Sequence, residues 1–400
     1  MSISLCMIVK NEAHQLSACF DSARSWVDEW IVVDTGSTDE TRAIAQSHNA
    51  MLYAYDWADD FAAARNESLR HATGDWILVL DADERLNAAA IPQLNQAIMA
   101  ENTLVVNLVR HEVGATQSPY SLVSRLFRNH PALQFTHPYH AQIDESVLAL
   151  VQQEPRWQIV ELPDIAILHE GYRPDVIQQR QKAQMARAAM ESYLREHPDD
   201  PYECSKLGAL YVQLEEVQAG IRVLKHGLAS LSPGDAQTVA IKYELHYHLG
   251  IAYSRLQQSE LSLSHYRVAT QQPILPPLKL GAYNNLGRLL KETGDLTEAA
   301  IAFEACVAIA PDFALGFFNL GTTLRALNRM PEAIAQYQRA IQLQPDYAEA
   351  HQNLGVALLK LGRTQDARFA FKRAIALHTP EHPEVAERLR SELRRMGFDL

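Results

Sequence analysis

Apolar and polar residues follow two rhythms along this chain, and the change of rhythm near residue 172 divides it. In the first 110 residues short β-type runs recur: "ISLCMIV" at 3–9, "EWIVVD" at 29–34, "AMLYAY" at 50–55, "WILVL" at 76–80 and "TLVVNLV" at 103–109. Amphipathic stretches lie between them at about 12–26, 39–48, 60–72 and 88–100. Strand–helix alternation at this spacing predicts a mostly parallel sheet covered on both faces. "STDE" at 37–40 has the S-x-x-E spacing of a capping box and predicts the start of the second helix. From 111 to 172 the pattern turns irregular, and "LVSRLFR", "HAQIDESV" and "IVELPDIAILHEGY" predict short strands and loops.

After Gly171 the pattern is helical. Residues 174–196 predict one long helix, stopped at "HPDDP" by Pro198 and Pro201. "NLG" then recurs at 285–287, 319–321 and 353–355, a constant spacing of 34 residues. Ala299, Ala333 and Ala367 keep the same offset, as do Phe303, Tyr337 and Phe371, and Pro311 and Pro345 close two units. That period and pattern belong to the tetratricopeptide helix–turn–helix repeat. Weaker copies precede them, one with Leu249, Gly250, Tyr253, Tyr266 and Ala269, another with Leu207, Gly208 and Tyr211. The chain therefore reads as an α/β domain over 1–172, a linker helix over 173–200, and about five repeats with a polar capping helix over 201–395.

Composition narrows the function classes. The 400 residues are 47% hydrophobic and 21% charged, ample for two or three ordinary cores and unlike a disordered chain. A formal net charge of −12 argues against sequence-independent nucleic-acid binding, which relies on Lys and Arg neutralising phosphates. Cys6, Cys19, Cys204 and Cys306 sit apart in apolar segments without CxxC spacing, so they read as reduced core residues. With no basic leader at "MSISLCMIVKNE" and no run of about 18 apolar residues, the expectation is a cytoplasmic protein without a membrane span.

The chemistry gathers at strand ends, where open parallel sheets bind ligands. The first strand runs into Lys10-Asn11-Glu12, the second into Asp34-Thr35-Gly36-Ser37, and the third into Asp56, Asp59 and Asp60. The fourth runs into Asp81-Ala82-Asp83-Glu84. If the strand continues, Asp81 and Asp83 share a face. Two carboxylates about 5 Å apart repel by roughly 3 kcal/mol at an effective dielectric of 20. A Mg²⁺ or Mn²⁺ ion bridging a diphosphate is one way to offset that. Neither GxxxxGK[ST] nor GxGxxG occurs, which sets aside a P-loop kinase or a Rossmann dehydrogenase. A DxD phosphatase needs its nucleophilic Asp on the first strand, and "MIVKNE" has none.

"SLCMIVKNE", "IVVDTGSTDET", "DDFAAARNESL", "ATGDWILVLDADE", "SRLFRN", "IDESV" and "ILHEGY" occur here in an order that resembles family-2 glycosyltransferases of GT-A fold. The bacterial branch with C-terminal tetratricopeptide repeats is the most similar. This resemblance implies a nucleotide-diphospho-sugar transferase domain followed by a tetratricopeptide-repeat α-solenoid. It implies a donor such as a UDP-linked hexose, Mn²⁺ or Mg²⁺, and inverting transfer. Glu12 and Asp34 would then line the nucleotide pocket, with Arg65 and Asn66 beside it. Asp81 and Asp83 match the metal-binding DxD motif, with Asp83 on the cation, and His169 matches a later histidine that completes the metal or diphosphate site. The family usually has histidine before the glutamate of "IDE"; Asp144 fills that place, leaving Glu145 as candidate base and Asp144 as its rival.

Asn285, Asn319 and Asn353 occupy one position on successive repeats. Stacked, they would form a ladder whose amides pair bidentately with a peptide backbone, and Phe318 would add apolar contact. That favours a protein or peptide acceptor. The rival from another class is an interaction scaffold with an inactive transferase domain.

Overall fold

The computed structural model describes residues 1–115, 119–170, 176–232 and 236–398. Among the described residues, the first part of the chain forms an eight-stranded sheet in the order β3-β2-β1-β4-β7-β6-β8-β5. The strands are β1 (Ile3–Val9), β2 (Glu29–Asp34), β3 (Met51–Ala54), β4 (Trp76–Val79), β5 (Glu84–Leu86), β6 (Thr103–Glu112), β7 (Tyr120–Arg128) and β8 (Gln158–His169). The first four pair in parallel, with Val9 opposite Asp34, so the loops after β1, β2 and β4 share one rim. Beyond β4 the sheet is mixed: β7 pairs antiparallel with both β4 and β6, while β6 and β8 run parallel.

Alternation within the strands feeds two cores. Leu5, Met7, Leu78 and Leu126 pack on one face with Leu16 and Phe20 of α1 (Leu16–Ala23) and Leu94 of α4 (Ile91–Met99). Ile31, Ile77, Val79 and Phe127 pack on the other with Ala62 of α3 (Phe61–Arg70) and Val147 and Leu150 of α5 (Asp144–Gln153). Fully burying each of these large side chains contributes about 2 kcal/mol.

Three local readings are corrected. "HAQIDESV" enters α5 rather than a strand, because Val147 and Leu150, three apart, bury against the sheet while Asp144 and Glu145 sit favourably in the first turn. The capping box at 37–40 does not form. Ser37 Oγ instead accepts the N–H of Asn11 at 3.0 Å, and Asp39 accepts that of Thr41 at 3.0 Å at the start of α2 (Thr41–Ser47). Finally, β4 ends at Val79, so Asp81 and Asp83 lie in a turn and not on one strand face.

The chain divides into two compact units, Met1–Ile241 and Lys242–Leu400. The first includes, besides the sheet, α6 (Val176–Glu196), α7 (Pro201–Gln213) and α8 (Val217–Ala229). α9 (Ala236–Arg255) leads into the second unit, where α10 (Ser259–Gln271) is followed by three regular helix pairs. These are α11–α12 (Leu280–Thr293, Leu296–Ile309), α13–α14 (Ala314–Ala326, Met330–Leu343) and α15–α16 (Ala348–Lys360, Thr364–Glu381). A polar α17 (Pro383–Arg395) ends the array. The glycine of each NLG is a packing requirement: a Cβ on Gly321 or Gly355 would lie 2.8 or 2.6 Å from the ring of Tyr337 or Phe371. All four cysteines are buried and unpaired, and no described helix is long and apolar enough to cross a membrane.

Candidate active site

The turn after β4 is the most densely wired part of the rim. Asp81 Oδ1 accepts from Arg65 Nη2 of α3 at 2.8 Å, and Oδ2 accepts from Arg125 Nη2 of β7 at 3.0 Å. Burial by itself would raise this carboxyl, but the two guanidiniums override it and hold Asp81 well below the ordinary carboxylate range. The acid crowding seen in the sequence is thus offset at Asp81 by protein cations. Each arginine keeps a buried Nη1 without a partner among the described residues, spare donors beneath the rim.

A bulge interrupts β7 at Arg125. Val106 pairs with Leu126 and Asn107 with Ser124, so Arg125 is the extra residue of β7. The bulge places neighbouring Ser124 and Arg125 on the α3–α5 face, where simple alternation would have separated them. Ser124 Oγ lies 3.0 Å from both Asn107 Oδ1 and Asp144 Oδ1. Burial raises the carboxyl of Asp144, with the Ser124 hydrogen bond opposing in part.

Asp83 faces a different partner. The last residue of β8, His169, sits between Glu84 of β5 and Glu112 of β6 in register. His169 Nε2 lies 3.1 Å from Asp83 Oδ2, and its Nδ1 hydrogen-bonds Glu112. Burial would depress this imidazole, but the two carboxylates raise it to about 10. Arg110 extends the wiring, donating to Glu84 at 2.9 Å and reaching Glu112 at 2.8 Å. Glu84 is fully buried and its Oε2 accepts the N–H of Asp81 at 2.9 Å.

The donor set at Asp83 suits a divalent cation. One carboxylate and one imidazole, the latter oriented by a second carboxylate, are two protein donors with a supporting shell. A Mg²⁺ or Mn²⁺ ion held there would displace the proton that His169 shares with Asp83 and would fill its remaining positions with oxygen ligands and water. Asp81, spanned by two arginines, offers no oxygen of comparable freedom.

The other residues singled out in the sequence divide. Asp34 is buried at the end of β2 and accepts the N–H groups of Gly36 at 3.4 Å and Ser37 at 3.2 Å; Gly36 takes the positive φ of +102° that this turn needs. Glu12 lies on the adjoining loop, where its N–H donates to Thr41 Oγ1 at 2.8 Å. Asn66 has a structural occupation: its amide donates to Phe135 O at 2.9 Å and accepts from Phe135 N at 2.7 Å. Glu145 is half-exposed, its Oε1 3.9 Å from His137 Nε2.

In the repeats, Asn285 and Asn319 are buried, and Asn319 Nδ2 donates to Asn284 Oδ1 at 3.0 Å. Asn353 donates to its own helix at Glu349 O, 2.9 Å away, and Phe318 packs on Tyr347 with ring centroids 4.9 Å apart. The asparagines share a position but do not line up as open amides. Arg110, Glu112 and Arg125 are the site residues that sequence reasoning missed. Arg125 stood within the quoted "SRLFRN", yet its partner Asp81 lies 44 residues away and nothing local names it.

The comparisons fit this geometry. Residues 4–160 match the model described as glycosyl transferase family 2, and 280–313, 321–362 and 348–379 match tetratricopeptide-repeat models. A TPR repeat-containing protein of Synechococcus elongatus is 46% identical over 309 residues, covering 77% of this chain and 76% of that one. The SPbeta prophage-derived glycosyltransferase SunS of Bacillus subtilis is 26% identical over 234 residues, covering 57% of this chain and 53% of that protein. An uncharacterized glycosyltransferase of Rickettsia felis is 34% identical over 100 residues, 25% of this chain and 35% of that one. With its sheet domain, its repeat array and these relatives, the chain belongs to the family-2 glycosyltransferases that carry C-terminal tetratricopeptide repeats.

Proposed function

We propose that this glycosyltransferase moves a hexose, with inversion, from a UDP-linked sugar to a protein or peptide acceptor. The observation that carries the reading is the pairing of Asp83 with a His169 that Glu112 orients, at the rim where the β1 and β2 loops also end. Mn²⁺ or Mg²⁺ bound at Asp83 and His169 would supply charge stabilisation for the leaving diphosphate. Asp34 and Glu12, on the neighbouring loops, would take the nucleoside. Arg65 and Arg125 fix Asp81, and their spare Nη1 donors favour an anionic ligand above them.

An inverting transfer needs a carboxylate to take the acceptor's proton as the acceptor attacks the anomeric carbon from the far face. Of the two candidates, Asp144 shares the α3–α5 face with Asp81, is oriented by Ser124, and has the raised affinity for protons that suits a base. Glu145 points to His137 instead. The geometry therefore favours Asp144, reversing the order given by the motif alone. The repeats support a polypeptide acceptor by their architecture, with Asn353, the partly exposed asparagine of the three, nearest to the role expected of the ladder.

A thermal-shift panel of nucleotide sugars with Mn²⁺ or Mg²⁺ tests the donor reading. One nucleotide class stabilises the wild type in the presence of the ion and not after chelation, and Asp83→Asn removes that response. Stabilisation that is indifferent to both the ion and Asp83→Asn contradicts it. No response to any nucleotide would favour the scaffold.

A further inference from the structure

A second group of ligating side chains lies away from the rim. Among the described residues, His137, Glu145 and Asp200 each offer one donor atom, and the three atoms lie within 4.8 Å of one another. They come from three places: the loop before α5, the first turn of α5, and the residue that caps α7, where Asp200 Oδ1 accepts the N–H of Glu203 at 2.9 Å. We propose that His137, Glu145 and Asp200 bind a divalent transition-metal ion.

Two of the three separations already fit, and the third lies within 4.8 Å. Two donors each about 2.1 Å from one ion stand at most about 4.2 Å apart. His137 Nε2 lies 3.0 Å from Asp200 Oδ2 and 3.9 Å from Glu145 Oε1. One imidazole with two carboxylates is a borderline-to-hard set that takes Zn²⁺ or Mn²⁺. The imidazole is built in rather than adventitious. His137 is fully buried, holds a φ of +69°, packs against Tyr193 and Tyr202 with ring centroids 4.8 and 5.3 Å away, and places Nδ1 3.0 Å from Thr136 Oγ1. A non-glycine residue at that φ is kept there only by its surroundings.

A separate observation points to a missing ligand. Glu203, on the first turn of α7, is wholly buried, and neither carboxylate oxygen has a hydrogen-bond partner among the described residues. His137 and Asp200 both act on it electrostatically, which places it beside the same cluster. Buried carboxylates are rarely left so. An ion held by three protein donors retains water, and such a water is the kind of donor that Glu203 lacks. Filled, the site ties the α5 end of the sheet domain to the first repeat helix, and it commits Glu145 to coordination, leaving Asp144 for catalysis.

Zn²⁺ alone, titrated calorimetrically into the chelator-stripped full chain, tests this. The wild type takes up an ion at micromolar concentration. Measured on an Asp83→Asn background, which removes the carboxylate donor of the rim, that uptake persists, and adding Glu145→Gln or Asp200→Asn, the latter still able to cap α7, weakens it at least tenfold. Zinc X-ray absorption on Asp83→Asn loaded with one ion shows imidazole and oxygen donors without sulfur, independently of how the Glu145 and Asp200 variants fold. Uptake unchanged in both variants, a spectrum dominated by thiolate, or no uptake at 100-fold molar excess overturns the site. The donor panel bears on Asp83 and can fail without touching this result.

Discussion

The two acids of one tripeptide should separate into a structural and a ligand-binding residue. Asp81→Asn removes the carboxylate charge that bridges two guanidiniums whose side chains are 8% and 11% exposed, those of Arg65 and Arg125. Leaving buried partners uncompensated costs about 3–5 kcal/mol. The Asp81 side chain is 32% exposed, so screening brings the expected loss to about 2–3 kcal/mol. Asp83→Asn breaks a single pair with a half-buried histidine that keeps Glu112, and should cost under about 1 kcal/mol. All five tryptophans lie between residues 26 and 157, so urea unfolding followed by tryptophan fluorescence reports on the sheet domain. A double-mutant cycle of Asp81→Asn with Arg125→Met should give a coupling of about 1–3 kcal/mol. If Asp81→Asn unfolds within about 0.5 kcal/mol of wild type, or if Asp83→Asn is the more damaging, the clamp is not what holds this turn.

Asp144→Asn should lower turnover at least about a hundredfold while leaving donor binding in place, whereas Glu145→Gln keeps more than a tenth of it; equal losses in steady-state assays contradict the assignment. Gly355→Ala drives a methyl into the ring of the buried Phe371 and should cost the repeat array about 1–3 kcal/mol, read from the thermal melt by far-UV circular dichroism. Burial, with His265 Nδ1 2.9 Å away, lowers His246 to about 4. Its folded value lies below its unfolded one, so its contribution is complete above about pH 6.5 and is lost as pH falls towards 4. After solvent screening that is about 1–2 kcal/mol, and His246→Gln should flatten the acid limb of the repeat unit's stability profile.

Much of the fold was legible because it is written locally. Strands β1 to β4 and β6 follow continuous apolar runs, and the repeats announce themselves through the glycine that admits Phe303, Tyr337 or Phe371 at a fixed spacing. What was not legible depends on register or on distant partners. The bulge that puts Ser124 on the same face as Arg125 arises from how β7 sits against β6, and nothing in "SRLFRN" states it. The arginines that neutralise Asp81 lie 16 and 44 residues away. Asn66 sits next to Arg65 in sequence yet faces the Phe135 backbone, since neighbours on a helix point about 100° apart. The asparagine ladder was inferred from spacing alone, and spacing does not show that a side chain is covered, as Asn285 and Asn319 are.

The central claim is that Asp83, with His169 behind it, anchors an ion-dependent sugar-nucleotide donor. Release of the nucleotide diphosphate from a UDP-sugar panel measures this most directly, with wild type and Asp83→Asn compared in Mn²⁺ and in chelator. The account predicts release by the wild type with Mn²⁺, loss of at least about a hundredfold in chelator, and the same loss in Asp83→Asn with the ion present. Release that persists in chelator, or in Asp83→Asn at the wild-type rate, contradicts it.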